Sequence, residues 1–166
     1  MSSQVNSSVL RYDGTTGAFL DEFVASGSGG LFNPQQLQFG PDGNLYVASG
    51  NSNQLLRYDG ATGAFIDVFA GTNLNLPADF IVGSDELYYV TNFLTNEVTR
   101  YDASGAFVDV FINQFGNGLD GPIGILSVPE PSSFALAALA AGVMQIVRRR
   151  KRAAPPLEDS SEVGAS

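Results

Sequence analysis

The 166 residues contain no cysteine, no histidine and no tryptophan. Without cysteine there is neither a disulfide framework nor a thiol nucleophile, and without cysteine and histidine the common zinc sites and the Ser-His-Asp triad are excluded. Any catalytic chemistry would fall to carboxylates, hydroxyls, tyrosine or an oxygen-liganded metal. Basic residues are also scarce, eight against seventeen carboxylates, for a net charge of −9. Phosphate backbones are held by clustered Lys and Arg, so this balance argues against a nucleic-acid partner.

The few bases are unevenly placed. Residues 1–147 hold three arginines, Arg11, Arg57 and Arg100, against fourteen carboxylates. The other five bases are consecutive: Arg148, Arg149, Arg150, Lys151 and Arg152. An acidic body followed by a basic cluster points to two physical environments in one chain.

The body is a repeat. Arg11-Tyr12-Asp13 returns as Arg57-Tyr58-Asp59 and as Arg100-Tyr101-Asp102, at steps of 46 and 43 residues. Each triplet leads through a turn into Gly-Ala-Phe-x-Asp-x-Phe, beginning at Gly17, Gly63 and Gly105. A looser half follows: Pro34 precedes Leu37-Gln38-Phe39 and Leu45-Tyr46-Val47, Pro77 precedes Phe80-Ile81-Val82 and Leu87-Tyr88-Tyr89-Val90, and Pro122-Ile123-Gly124-Ile125-Leu126 opens a further copy. The repeat units lie near residues 8–53, 54–96 and 97–127. Apolar and β-branched runs bounded by Gly, Pro, Asn and Asp predict strands throughout, about eleven of them. Asp42-Gly43 suits a tight hairpin turn, and Asp59-Gly60-Ala61-Thr62-Gly63 a longer loop.

Roughly four strands per repeat of 40–50 residues is the pattern of a β-propeller blade. The run Phe65-Ile66-Asp67-Val68-Phe69 is apolar on both faces, as a blade sandwiched between neighbours requires. This predicts that Phe19, Phe65 and Phe107, and likewise Phe23, Phe69 and Phe111, form equivalent layers of the core.

The stretch 34–48, with its Gly40-Pro41-Asp42-Gly43-Asn44-Leu45-Tyr46-Val47 centre, followed by Leu56-Arg57-Tyr58-Asp59, resembles the NHL-type propeller repeat. It is also similar to gluconolactonase-like and streptogramin-lyase-like propellers. The fold class read from the sequence is therefore all-β, an incomplete propeller of about two and three quarter four-stranded blades, where closed rings typically have about four to eight. A truncated propeller is the first reading of that count, and chains that complete each other's ring through open blade edges is the second.

A different composition starts at residue 128. Val128-Pro129-Glu130-Pro131-Ser132 precedes fourteen uncharged residues, 134–147, and then the five bases. The prolines predict a helix that starts near Ser132 or Ser133 and carries Phe134, Leu136, Leu139, Val143, Ile146 and Val147 on an apolar surface. Fourteen residues are short of the roughly 20 that span a bilayer, but a core helix has no reason to end in five cations, whereas a cytoplasmic membrane stop does. The three parts in this order resemble the PEP-CTERM sorting signal of exported bacterial proteins. That resemblance implies recognition of Pro129-Glu130-Pro131 by an exosortase-type membrane enzyme, transient anchoring in the inner membrane with the Arg cluster cytoplasmic, and delivery to the envelope or outside the cell. Residues 153–166 read as a disordered tail. Residues 1–8 have neither a charged nor an apolar signal region, which agrees with a missing N-terminal portion.

Within the body, Asp13, Asp59 and Asp102, with Asp21, Asp67 and Asp109, are repeated carboxylates. They read best as repeat-to-repeat ion pairs and turn hydrogen bonds, the alternative being a rim that binds Ca²⁺, an ion that takes six to eight oxygens. No other cofactor and no catalytic or metal residue is assigned. Asn51, Asn53, Asn92 and Asn96 read as turn chemistry. The tyrosines read as packing residues, so an extracellular polysaccharide partner rests on the sorting context alone. The functional expectation is a non-catalytic binding module. The alternative is part of a propeller hydrolase or lyase whose active site lies in other blades, although the lyase resemblance implies a histidine that this chain lacks.

Overall fold

The computed structural model describes residues 1–113 and 118–128. The chain divides into two units, Met1–Ser127 and Val128–Ser166, and all described strands belong to the first. Strands β1 (Ser2–Ser3), β2 (Ser8–Tyr12) and β3 (Phe19–Val24) form one antiparallel sheet. Strands β4 (Pro34–Phe39), β5 (Leu45–Ser49), β6 (Gln54–Tyr58) and β7 (Phe65–Ala70) form the second. The third consists of β8 (Pro77–Val82), β9 (Tyr88–Asn92), β10 (Glu97–Tyr101) and β11 (Phe107–Ile112). Strands follow chain order in each sheet, and the sheets meet near their first strands, β8 beside β4 and β5 and β1 beside β4. These are blades of a β-propeller, with β3, β7 and β11 as outer edges. The blades run from one proline-led strand to the next, half a repeat out of step with units that start at residues 8, 54 and 97.

The middle blade shows why its strands are apolar. All five residues of β5 are buried, and alternate ones face opposite neighbours. Leu45 and Val47 join Val9, Phe23, Val24, Leu56 and Tyr58 in a core against the first blade. Tyr46 and Ala48 join Leu55, Phe69, Phe80, Tyr88, Val90 and Tyr101 in a core against the third. A strand with period 2 and two dry faces must be apolar at every position.

The predicted phenylalanine layers are corrected by this arrangement. The strand buried on both faces is β5, not β7, where Phe65, Ile66 and Val68 are exposed. Phe19 is exposed as well, and Phe107 is partly buried. These three rings sit on the outer strands and make edge-on contacts with Tyr12, Tyr58 and Tyr101 of the preceding strand, at 5.7, 5.8 and 5.9 Å between centroids. In the other layer Phe23 and Phe69 are buried, at 9% and 5% exposure, but Phe111 is 51% exposed. Phe23 and Phe69 have a following blade to pack against, whereas among the described residues Phe111 is followed by the segment 121–127.

That segment is the further copy expected at Pro122. It forms no strand and joins none of the three sheets among the described residues, but two of its backbone amides are held by side chains of the third blade. The Gly121 amide donates to Asn96 Oδ1 at 2.8 Å, as the Leu76 amide before β8 donates to Asn53 Oδ1 at 2.8 Å. The Ile125 amide donates to Asp79 Oδ2 of β8 at 2.9 Å.

Candidate functional site

The Arg-Tyr-Asp triplet is one device built three times. Two register shifts flank the arginine in each pairing of the third and fourth strands, and they set Arg11 opposite Asp21, Arg57 opposite Asp67 and Arg100 opposite Asp109. The guanidinium grips its carboxylate with two donors: Arg57 Nε and Nη2 reach Asp67 at 3.1 and 2.6 Å, and Arg100 reaches Asp109 at 2.8 and 2.6 Å. It also lies over a ring of the same blade: Arg11 over Phe23 at 4.6 Å, Arg57 over Phe69 at 5.7 Å and Arg100 over Phe111 at 4.8 Å. The pairs are therefore cross-strand contacts inside one blade, not repeat-to-repeat bridges. Opposite charges directly across a ladder and a cation above an aromatic face are both favourable. The arginine hydrogen bonds hold Asp21 and Asp109 below the usual carboxylate range.

The tyrosine of the triplet points to the preceding blade. Tyr58 and Tyr101 are fully buried, and their hydroxyls donate to the carbonyls of Ser28 and Thr72, at 2.8 and 2.6 Å. Burial pushes the Tyr101 phenol up to about 12, so it remains a donor at any working pH. Tyr46 and Tyr88 are buried too; of the six tyrosines only Tyr12, at 41%, is clearly exposed.

The aspartate closes the turn. Asp59 Oδ1 accepts from the Ala61 and Thr62 amides and the Thr62 hydroxyl, and Asp13 and Asp102 make the corresponding sets with Thr15 and Thr16 and with Ser104 and Ala106. Hydrogen bonds from Thr16, Thr62 and Ser104 are the leading reason these three carboxyls lie below the ordinary 3.8. A depressed folded-state value stabilises above the unfolded value and is lost as pH falls through the folded one. The loops are thus expected to hold down to about pH 4 and to loosen below it. NMR titration of the three carboxyl carbons should give midpoints under that of a free aspartate, and Asp59→Asn should remove part of the acid-induced loss of stability.

The other polar candidates are equally engaged. Asn53 and Asn96 adopt positive φ and receive the amides that start the next blade. Asn92 is a buried strand residue that accepts from the Asn75 amide and donates to Thr99, and Asn51 accepts from Asn33. Among the described residues no group of three or more carboxylates converges on a point that could hold a metal ion. A cleft of about 400 Å³ between the second and third blades is lined by Asp42, Tyr46, Arg57, Glu86 and Tyr88. Its arginine is already compensated by Asp67 and by Asp42, 3.7 Å away, so the cleft offers hydrogen-bonding groups around a neutralised cation.

The sorting residues lie almost entirely outside the described part. Val128 is exposed. Pro129, Glu130, Pro131 and Ser132, the apolar positions Phe134, Leu136, Leu139, Val143, Ile146 and Val147, and the cluster of Arg148, Arg149, Arg150, Lys151 and Arg152 fall outside it, as does the predicted helix. Among the described residues no helix is long and apolar enough to cross a membrane. The tail is decided by its sequence: residues 127–152 match the PEP-CTERM protein-sorting motif. The chain carries a PEP-CTERM sorting signal. Such a signal implies export to the cell envelope.

The body is similar in fold to two crystal structures of virginiamycin B lyase from Staphylococcus aureus. One is the selenomethionine-substituted protein, at 20% identity and a TM-score of 0.56; the other is a catalytically inactive histidine-to-alanine form with quinupristin, at 20% and 0.55. Each alignment covers 74% of this chain and 39% of the lyase. The chain thus spans well under half the length of the lyase it resembles. No curated protein matches the chain.

Proposed function

We propose that this is an exported bacterial protein whose PEP-CTERM tail is read by an exosortase-type membrane enzyme and whose propeller body serves as a non-catalytic binding module of the envelope or extracellular matrix. The observation that carries the reading is the sorting motif over residues 127–152. The body supports it, because its repeated Arg, Asp, Asn and Tyr side chains are engaged in holding blades together. Its ligand surface would be the clefts between blades, where neutralised charge and hydrogen-bonding groups suit an uncharged polyhydroxylated chain such as a polysaccharide better than an anion. The membrane is a transient partner through residues 134–147, with the arginine cluster on the cytoplasmic side.

The test is expression in a host that has the sorting enzyme. With a secretion signal fused ahead of residue 1, the full chain should reach the envelope fraction in a shortened form, and replacing Pro129, Glu130 and Pro131 with alanine should leave it unshortened in the membrane. Removing residues 128–152 should abolish membrane association; a tail-less chain that still fractionates with membranes would sink the proposal. The fold of the lyases favours a second reading, a portion of a propeller lyase. The chain has no histidine, while loss of a histidine inactivates the lyase it resembles. Incubation with quinupristin should therefore leave that compound intact, and turnover would favour the second reading.

A further inference from the structure

A side chain present in one blade and absent from the matching position of the next is not needed to build a blade. Counted back from the prolines that open β4 and β8, Gly30 and Phe32 of the second blade correspond to Asn73 and Asn75 of the third. At the starts of β6 and β10, Ser52 and Gln54 correspond to Thr95 and Glu97. The backbone is shared: φ is +88° at Gly30 and +59° at Asn73, and Leu31 and Leu74 beside them are both buried. The side chains are not. A Cβ at Gly30 would lie 3.8 Å from Gln54 Oε1, so these two positions adjoin, and in the third blade they hold an amide and a carboxylate. Ser52 donates to the Ser49 hydroxyl at 2.5 Å. Asn92 ends β9 where Ser49 ends β5 and donates to Thr99 instead, and the buried Thr95 hydroxyl has no partner among the described residues.

Asn73, Asn75, Thr95 and Glu97 border one cleft of about 390 Å³, with Leu74 and Val110 as its apolar lining. The loop that carries the two asparagines is pinned. Its Thr72 and Leu76 carbonyls accept from the Tyr101 hydroxyl and the Phe93 amide, and its Asn75 and Leu76 amides donate to Asn92 and Asn53. The Asn73, Asn75 and Glu97 side chains, by contrast, make no hydrogen bond or ion pair among the described residues. The backbone is held and the side chains are left over.

We propose that this cleft binds the hydroxyls of an uncharged sugar residue, which places the polysaccharide contact in the third blade; the proposal rests on the reading of the body as a polysaccharide-binding module. A sugar hydroxyl both donates and accepts, so it can donate to Glu97 while accepting from an asparagine Nδ2. A cation would find a single carboxylate here and no use for the amide donors. An anion would face Glu97 with no arginine or lysine lining the cleft. Leu74 and Val110 offer apolar surface to the C–H face of a ring. The volume lies in the range of about 300–1,000 Å³ usual for small-ligand sites, and a pinned loop keeps the cost of ordering on binding low.

The experiment is affinity electrophoresis of the full chain, kept in a sugar-free polyoxyethylene detergent. Native gels contain dextran, galactomannan or xylan, each read against a gel without polysaccharide. At least one of these neutral polymers should retard the wild-type chain. Asn73→Gly combined with Glu97→Gln gives the third blade the second blade's residues at both positions and keeps a residue suited to positive φ. Circular dichroism and unfolding midpoint should therefore be unchanged, while the apparent affinity falls about tenfold or more. Asn75→Ala, at a side chain without a partner in the body, should act in the same direction. Variants retarded as strongly as the wild type would overturn the site and leave the polysaccharide reading standing. A wild-type chain retarded in none of the gels would overturn both. Retardation that requires added Ca²⁺, or that is as strong with the charged polymer hyaluronate, would overturn the assignment of an uncharged sugar.

Discussion

Gly63→Ala is expected to destabilise the body by about 2–5 kcal/mol, against about 1–2 kcal/mol for Gly17→Ala. Both glycines sit in the left-handed region, at φ +74° and +72°, so both replacements carry the same backbone strain. They differ in what the new methyl meets. At Gly63 it collides with the Phe23 backbone, which is pinned in β3 and cannot move without shifting a strand across the inter-blade core. At Gly17 it meets nothing in the single chain. Urea unfolding of the two variants in parallel, at concentrations where the chain is monomeric, isolates the collision from the strain. Equal losses would show that the close approach of the blades contributes nothing.

The second large effect is Phe69→Ala, expected to cost about 3–5 kcal/mol, while Phe111→Ala should cost under about 1 kcal/mol. Phe69 is buried against Tyr88 at 4.6 Å and Tyr46 at 5.0 Å between ring centroids, with the Arg57 guanidinium on its open side. Its removal opens a cavity between two blades and takes the ring from under an arginine. Phe111 has the same neighbour in sequence, the same ion pair and an arginine at 4.8 Å, yet half its surface is in water. Thermal unfolding midpoints of the two single variants decide the matter. A Phe111→Ala loss as large as that of Phe69→Ala in the monomeric chain would mean that the outer face is already covered.

Much of the body was legible because the repeat announces its local chemistry. Asp59 and Gly63 mark a loop that needs an acceptor for free amides and a residue tolerant of positive φ, and the loop has both. Pro34 and Pro77 each mark the start of a first strand. The arginine partner was less accessible, since an Arg and an Asp ten residues apart are equally compatible with a bridge inside a blade and one between blades. Only the register of β6 on β7 sets Arg57 against Asp67. The phenylalanines misled for a related reason. Apolar content on both sides of a strand signals two covered faces, but Phe65 and Ile66 lie on an outer strand and are apolar without being covered. The sorting motif was legible because its recognition depends on linear order: a short motif, an apolar run and a basic cluster.

By itself, the sequence determined the strands, their turns, the repeat and the C-terminal address, all of which depend on residues near one another in the chain. Its arithmetic of absences, no histidine, no cysteine and few bases, also set the limits on chemistry. Only the tertiary structure decided what each copy of a repeated residue does. Gly17 and Gly63, Tyr12 and Tyr58, and Phe111 and Phe69 are the same letters in the same local pattern, and they differ in whether another blade stands against them. Burial and close approach belong to pairs of blades, so a residue's energetic weight here is a property of its neighbour.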